Sequence, residues 1–366
     1  MVTFGIEEEY FLLDPATGLP AFVSAEVRRL LSESGDVADG DIQAELLACQ
    51  VETSTPPCAT PAEALRSLTA FRTELHRAAQ KMKVRAASVA TPPRMRTEAP
   101  EVTDKLRYHQ LRESAREIVA DQYVSGLHVH VNIPDKDAGV RALNRIRPWL
   151  PVIVAIGADS PFWQDRDSGF ASWRTISYRR WPVQGLPPVF EDAADYEKRV
   201  QRLVDTGVII DRGVITWVAR LSENYPTLEV RAADAQLEAR DSVLLAALIR
   251  ALVVTALNDG IEPRPQDAAM PEVLDAALWQ AGRHGLESNL LNPLSGSLEP
   301  AWEVVGALAA MVAPALAAEG DGDFVAAGLD RLRTVGTGSV RQRAAMVSGG
   351  LPALIDLFTT SLTEVR

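Results

Sequence analysis

Cysteine is nearly absent, with only Cys49 and Cys58 in 366 residues. Two thiols cannot build a disulfide framework, so the chain reads as a protein of a reducing compartment. Long apolar runs are missing too. The longest, Val243–Leu257 and Val304–Ala318, are interrupted by Arg250 and Pro314, and neither reaches the ~18 uninterrupted apolar residues of a spanning helix. The first nine residues hold no basic stretch followed by an apolar core. No secretion signal is therefore expected, and the placement is read as cytoplasmic. Positive charge is in deficit: Lys+Arg 37 against Asp+Glu 49 leaves −12, which disfavours nucleic acid and anionic membranes as partners. Histidine is scarce, at five residues, whereas 47% of the chain is hydrophobic. That is enough for a sizeable core and argues against wholesale disorder.

The spacing predicts a strand over Phe4–Leu13, ended by Asp14-Pro15-Ala16-Thr17-Gly18. A helix follows over Ser24–Ser34, with Ser24 as N-cap and Gly35 as the stop. Gln43–Thr53 reads as one strand, and Thr60-Pro61 opens a helix running through Ala62–Lys83. Val84–Ala90 is a short strand and Gly126–Ile133 a strongly alternating one; Lys136–Ile156 reads as a helix. Asp159–Phe190 is long, aromatic and Pro-rich, the pattern of a binding loop or lid. After a helix near Asp195–Thr206 and a strand at Thr227–Ala232, the chain is almost all helix from Glu238 onward. The expected fold is a single α+β domain over residues 1–366, with a mostly antiparallel sheet and a helix-rich C-terminal part from about residue 238.

Acidic residues cluster where strands are expected. Alternation puts Glu7 and Glu9 on one face of the first strand and Glu8 on the other, beside Ile6 and Tyr10. Like charges on one face repel, and burial raises the cost; a hard divalent cation removes both problems. The alternative is an edge strand whose charges face water. Glu45 and Glu52 are seven apart, so they can serve one site only across a bulge or if Glu45 precedes the strand. His128, His130 and Asn132 share a face, a spacing suited to a metal or a phosphate or merely to a solvated surface. Glu229 and Arg231 share another, either as a surface ion pair or as a metal ligand beside a phosphoryl-binding guanidinium. Gly336-Thr337-Gly338-Ser339 lacks the Lys and the preceding strand of a phosphate loop.

These blocks resemble the carboxylate–amine ligase family of type 2 glutamate–cysteine ligases, which has a glutamine-synthetase-like catalytic fold. The likeness runs through Gly5 to Tyr10, Glu52 to Pro56, Ser125 to Val131, Ser160 to Trp163 with Arg180 to Pro182, and Thr227 to Asp234. It implies that Glu7, Glu9, Glu45, Glu52, His128 and Glu229 hold Mg²⁺, with Mn²⁺ as a substitute, and that ATP is the co-substrate. It implies that Arg231 meets the transferred phosphoryl. Arg174, Arg180, His130 and Asn132 are the residues assigned to substrate. Thr91-Pro92-Pro93 stands where the family often has Thr-His-Pro, Ser125 where Cys is frequent and Asn132 where Gly is common, changes that bear on the acceptor pocket. The implied reaction joins glutamate to cysteine, or to another amine, through an acyl phosphate shielded by an aromatic lid at Asp159–Phe190. Small amino acids are the expected partners, and an open edge strand offers a route to a homodimer. A metal-dependent amide hydrolase and a non-catalytic nucleotide-binding homologue are the rival readings.

Overall fold

Ten residues from Phe4 to Leu13 form β1, and this strand organises the molecule. The computed structural model describes residues 1–35, 42–258, 261 and 270–364. Seven strands make the main sheet: β1, β2 (Ile42–Ala44), β3 (Gln50–Ser54), β4 (Arg85–Ala87), β5 (Gly126–Asn132), β6 (Ala219–Leu221) and β7 (Thr227–Asp234). Their order is β6-β7-β5-β1-β3-β2, with β4 also on β1, beyond the end of β5. Every pairing in this sheet is antiparallel. Because β1 lies in the middle, its acids do not sit on a water-facing edge strand.

One face of the sheet is closed by helices. The helix Ala239–Leu257 is buried along nearly its whole length and packs on β1 and β5, on α2 (Pro61–Lys81) and on Lys136–Ile146. This face holds Ile6, Leu127, Val129, Val131, Leu228 and Val230 in a large apolar cluster, while Tyr10, Leu12 and Val51 join a second cluster beneath α1 (Ser24–Ser34) and α2. A polar knot is set into it. Arg72 of α2 donates to both oxygens of Glu8, at 3.0 and 2.8 Å, and to the carbonyls of Gln236 and Leu237. Tyr10 and Ser242 hydroxyls also donate to Glu8, and every group is buried.

Several expected boundaries shift for local reasons. Gln43–Thr53 is two strands, β2 and β3, which fold back on each other with Gln43 opposite Glu52. Val23, not Ser24, occupies the cap of α1 and makes no side-chain bond, although Gly35 does end the helix in the left-handed region at φ 71°. Lys136–Ile156 breaks at a 3-10 turn over Arg147–Trp149, where Pro148 and Pro151 remove two amide donors. Thr60 and Glu63 cap α2 reciprocally. The terminal helix Gly338–Thr363 is broken at Gly349 and Gly350. Helix Ala301–Glu319 is long and apolar enough to cross a bilayer by length and composition, yet it buries Val304, Val305, Leu308 and Val312 in the main core.

Candidate active site

The other face of the sheet carries the chemistry. Strand register sets Glu7 opposite His128, Glu9 opposite Glu52, and Glu229 opposite both His130 and Arg220. Five neighbouring strands therefore bring these polar residues together through register alone. Glu45 lies between β2 and β3, so it precedes β3, and the reversal of the chain carries it next to Glu52. All six acid and imidazole groups named as ligands line one cavity of about 590 Å³, together with His130 and Arg231.

Two clusters within it have metal-ligand proportions. Glu7, His128 and Glu229 form one; Glu9, Glu52 and His128 form the other; in each, one ligand atom per residue lies within 4.8 Å of the rest. His128 belongs to both: Nδ1 is 3.1 Å from Glu7 Oε2 and Nε2 is 3.7 Å from Glu9 Oε1. The buried Nε2 atoms of His128 and His130 have no hydrogen-bond partner. Carboxylates stand near both, Glu7 Oε1 at 3.3 Å from His130 Nε2 and Glu9 Oε1 at 3.7 Å from His128 Nε2. Buried polar atoms are normally well paired, so imidazole nitrogens facing carboxylates without good hydrogen-bond geometry fit a set built for cations.

The electrostatics agree. Burial, with Glu45 adding repulsion, pushes the Glu9 carboxyl up to about 8. Burial and the neighbouring acids Glu45, Glu7 and Glu9 raise Glu52 well above the carboxylate range, and burial also raises Glu45. Burial opposes ionisation of Glu7 and Glu229 as well, but His128 and His130 hold Glu7 far below its ordinary value, and Arg231 and Arg220 do so for Glu229. Burial and then Arg231 lower His128 to about 4, which leaves a neutral imidazole at neutral pH, the form that ligates metal.

Arg231 reaches this site through an irregularity. Val230 pairs with Val129 but Ala233 with Leu127, so β7 carries one extra residue. Its guanidinium bonds Glu229 and lies 3.4 Å from His128 Nδ1. Arg220, which no sequence pattern singled out, grips the same carboxylate, with Nε 2.8 Å from Oε2. Its only signal was the alternation of the three-residue strand Ala219–Leu221, too short to read without a register.

The residues assigned to substrate disperse. His130 lines the cavity, its Nδ1 2.9 Å from Thr227 Oγ1 and its ring edge-on to Tyr225. Arg174 is buried behind the floor, where it donates to the Arg231 carbonyl and lies over the Tyr178 ring. Arg180 is tied to Asp121 at 2.6 Å and does not line the cavity. Asn132 is exposed at the end of β5, also outside it, because the lining follows the strand only as far as His130. Neither Pro92 nor Ser125 reaches the lining; Ser125 touches it indirectly, by accepting from Gln50. From the long segment expected as a lid, only Tyr178 and Trp181 face the cavity, while Phe162, Trp163 and Phe190 are core.

The sequence pattern of glutamate-cysteine ligase family 2 matches residues 3–353. This chain belongs to glutamate–cysteine ligase family 2. Proteins of Mycobacterium sp. (strain KMS) and Nocardia farcinica (strain IFM 10152), provisionally named glutamate–cysteine ligase 2-2 and 2-1, are 40% and 41% identical to it over 344 and 340 residues. The matches cover 94% and 93% of this chain, and 93% and 88% of theirs. Among solved structures, the glutamate–cysteine ligase of Francisella tularensis in complex with AMP superposes with a TM-score of 0.70 at 12% identity, covering all of this chain and 89% of that one. The bifunctional glutathione synthetase of Pasteurella multocida gives 0.74 at 17% identity over 99% of this chain, which spans 52% of that protein's length. The chain thus has the glutamine-synthetase-like ligase fold, and it is an ATP-dependent ligase joining a carboxylate to an amine.

Proposed function

We propose that the enzyme activates the γ-carboxylate of glutamate and transfers it to the amine of cysteine. A carboxylate oxygen of the donor attacks the γ-phosphorus of ATP, the bond to the β-phosphate oxygen breaks, and ADP leaves. The amine nitrogen then attacks the acyl carbon of the acyl phosphate, the carbon–oxygen bond to the phosphoryl group breaks, and phosphate leaves with the loss of an ammonium proton. The observation that carries this reading is the pair of carboxylate–imidazole clusters meeting at His128 beside Arg231.

Glu7, His128 and Glu229 would hold one Mg²⁺ through one imidazole nitrogen and two carboxylates, and Glu9 and Glu52 would offer carboxylate oxygens to a second, with Glu45 supporting Glu52. Bound there, Mg²⁺ supplies the positive charge that lets triphosphate and donor approach. Arg231 stabilises charge on the moving phosphoryl, and Arg220 keeps Glu229 ionised and oriented. His130 faces the substrates from the neighbouring strand position. Arg174 positions Glu9 and Arg231 from behind; in this reading Arg180 and Asn132 touch no substrate. A homodimer formed through a sheet edge and a cytoplasmic, reducing setting for the two buried thiols complete the proposal.

The test is a screen of purified protein with Mg²⁺-ATP and glutamate against a panel of amines, following ADP and product mass. ADP formation that needs both glutamate and cysteine, with γ-glutamylcysteine as product, supports the reading. A different amine as the preferred acceptor keeps the chemistry and changes the substrate. Amide cleavage without ATP, lost to a Zn²⁺ chelator, would replace it with a hydrolase, and tight ATP binding without transfer would make the chain a non-catalytic binder.

A further inference from the structure

An acyl phosphate is wasted if water reaches it before the amine does. The aromatic segment lends only Tyr178 and Trp181 to the cavity wall, and much of the rest comes from elsewhere in the chain. Helix α3 (Leu106–Ala115) lends Arg107, Tyr108 and Leu111 to the lining, and the segment holding Asp211 and Gly213 supplies another part of the wall. Arg107 and Asp211 join the two, Nε and Nη2 donating to the two carboxylate oxygens at 2.6 and 2.8 Å. Their side chains line the cavity yet remain 43% and 37% exposed, which places the pair on the boundary between chamber and solvent.

The segment is built to come away. Of the ten residues of α3, only Leu111 is buried, and a helix this short is marginal without packing. Tyr108 and Ala115 only lean against the main core, and the Tyr108 hydroxyl donates to the Ala44 carbonyl at 2.8 Å; past Arg116, Val119 is fully buried in that core and anchors the chain. The helix ends at Arg116, held at φ 48° and ψ −119°, a conformation a non-glycine residue rarely adopts. The facing wall is shaped for the latch. A Cβ on residue 213 would stand 2.4 Å from Arg107 Nη2, so Gly213 leaves the space that the guanidinium fills.

We propose that residues 104–116 are the movable wall of the reaction chamber and that Arg107 and Asp211 are the positioning pair that latches it. The inference rests on the acyl-phosphate chemistry proposed above. With the wall latched, the amine nitrogen takes the acyl carbon. With it open, a water oxygen attacks instead, the carbon–oxygen bond to the phosphoryl group breaks, and the products are free carboxylate, phosphate and a proton. The net leak is ATP plus water giving ADP plus phosphate.

The experiment compares wild type, Arg107→Ala, Asp211→Asn and the charge swap R107D/D211R. It reads amide formed per ADP and, separately, backbone hydrogen exchange over residues 104–116. The single variants should each lower the amide-to-ADP ratio, by at least about twofold, and speed exchange in this segment by about two- to fivefold, the range of a half-exposed ion pair. Exchange in β1 and β5 should not change, and the swap should restore both readouts. A KM increase confined to Arg107→Ala, at unchanged ratio and exchange, would make Arg107 a substrate contact and overturn the latch. If wild type forms no amide with any amine, the functional reading falls while exchange still decides the latch: unchanged exchange in both single variants sinks it.

Discussion

Arg231 is the residue where alternation, register and charge meet. The extra residue in β7 sets it beside His128, and Glu229 holds it there. A preorganised donor to a developing charge is worth far more in a water-poor site than in solution. Arg231→Ala is expected to lower turnover by about 100-fold, measured as ADP release at saturating Mg²⁺-ATP; an unchanged rate would leave Arg231 as an ion-pair partner alone. Gly126 offers a second residue-scale test. Its amide donates to Glu9 at 2.8 Å, and a Cβ there would lie 2.4 Å from Arg174 Nη2. Gly126→Ala should displace the buried guanidinium and cost about 1–3 kcal/mol, as overpacked sites do, read by urea denaturation.

At the scale of elements, β1 is pinned from both faces. Glu7 and Glu9 look into the cavity, and Glu8 between them is tied by Arg72 to α2 and to the turn before the helix Ala239–Leu257. A register slip of one residue would exchange the two sets, so the Glu8–Arg72 pair selects which acids face the chamber. Arg72→Met should cost about 3–5 kcal/mol, because it strands a buried carboxylate. The double variant E8Q/R72M should lose less than the sum of the single changes, a coupling that a double-mutant cycle in denaturant measures. The hairpin of β2 and β3 shows the limit of reading strands singly. An odd spacing separates Glu45 from Glu52, and only the reversal of the chain, which no residue between them announced, brings the two carboxyls together.

For the whole molecule, the cost of gathering Glu7, Glu9, Glu45, Glu52 and Glu229 in one cavity falls on the folded state alone. A cation bound there therefore stabilises folding by linkage, about 2.7 kcal/mol at a hundred times its Kd. Thermal melts should show a larger upward shift with Mg²⁺ and ATP together than with either alone. Glu52→Gln should weaken the Mg²⁺-dependent part and abolish Mg²⁺-dependent ADP formation while the protein still melts cooperatively. A full shift in that variant would remove Glu52 from the site.

The strands, their two faces and most helices were legible because period 2 and period 3.6 are local properties of a chain. Glu7 with Glu9, His128 with His130, and Glu229 with Arg231 could each be paired on a face by spacing alone. Tertiary structure decided which strands are neighbours, and so which pairs meet. It added Arg220 and the Arg107–Asp211 pair, sent Arg180 to Asp121, and left Asn132 in solvent. The physical reason is that register and chain reversal join residues far apart in the chain, as with Glu7 and His128 at 121 positions, and no local periodicity encodes such a contact.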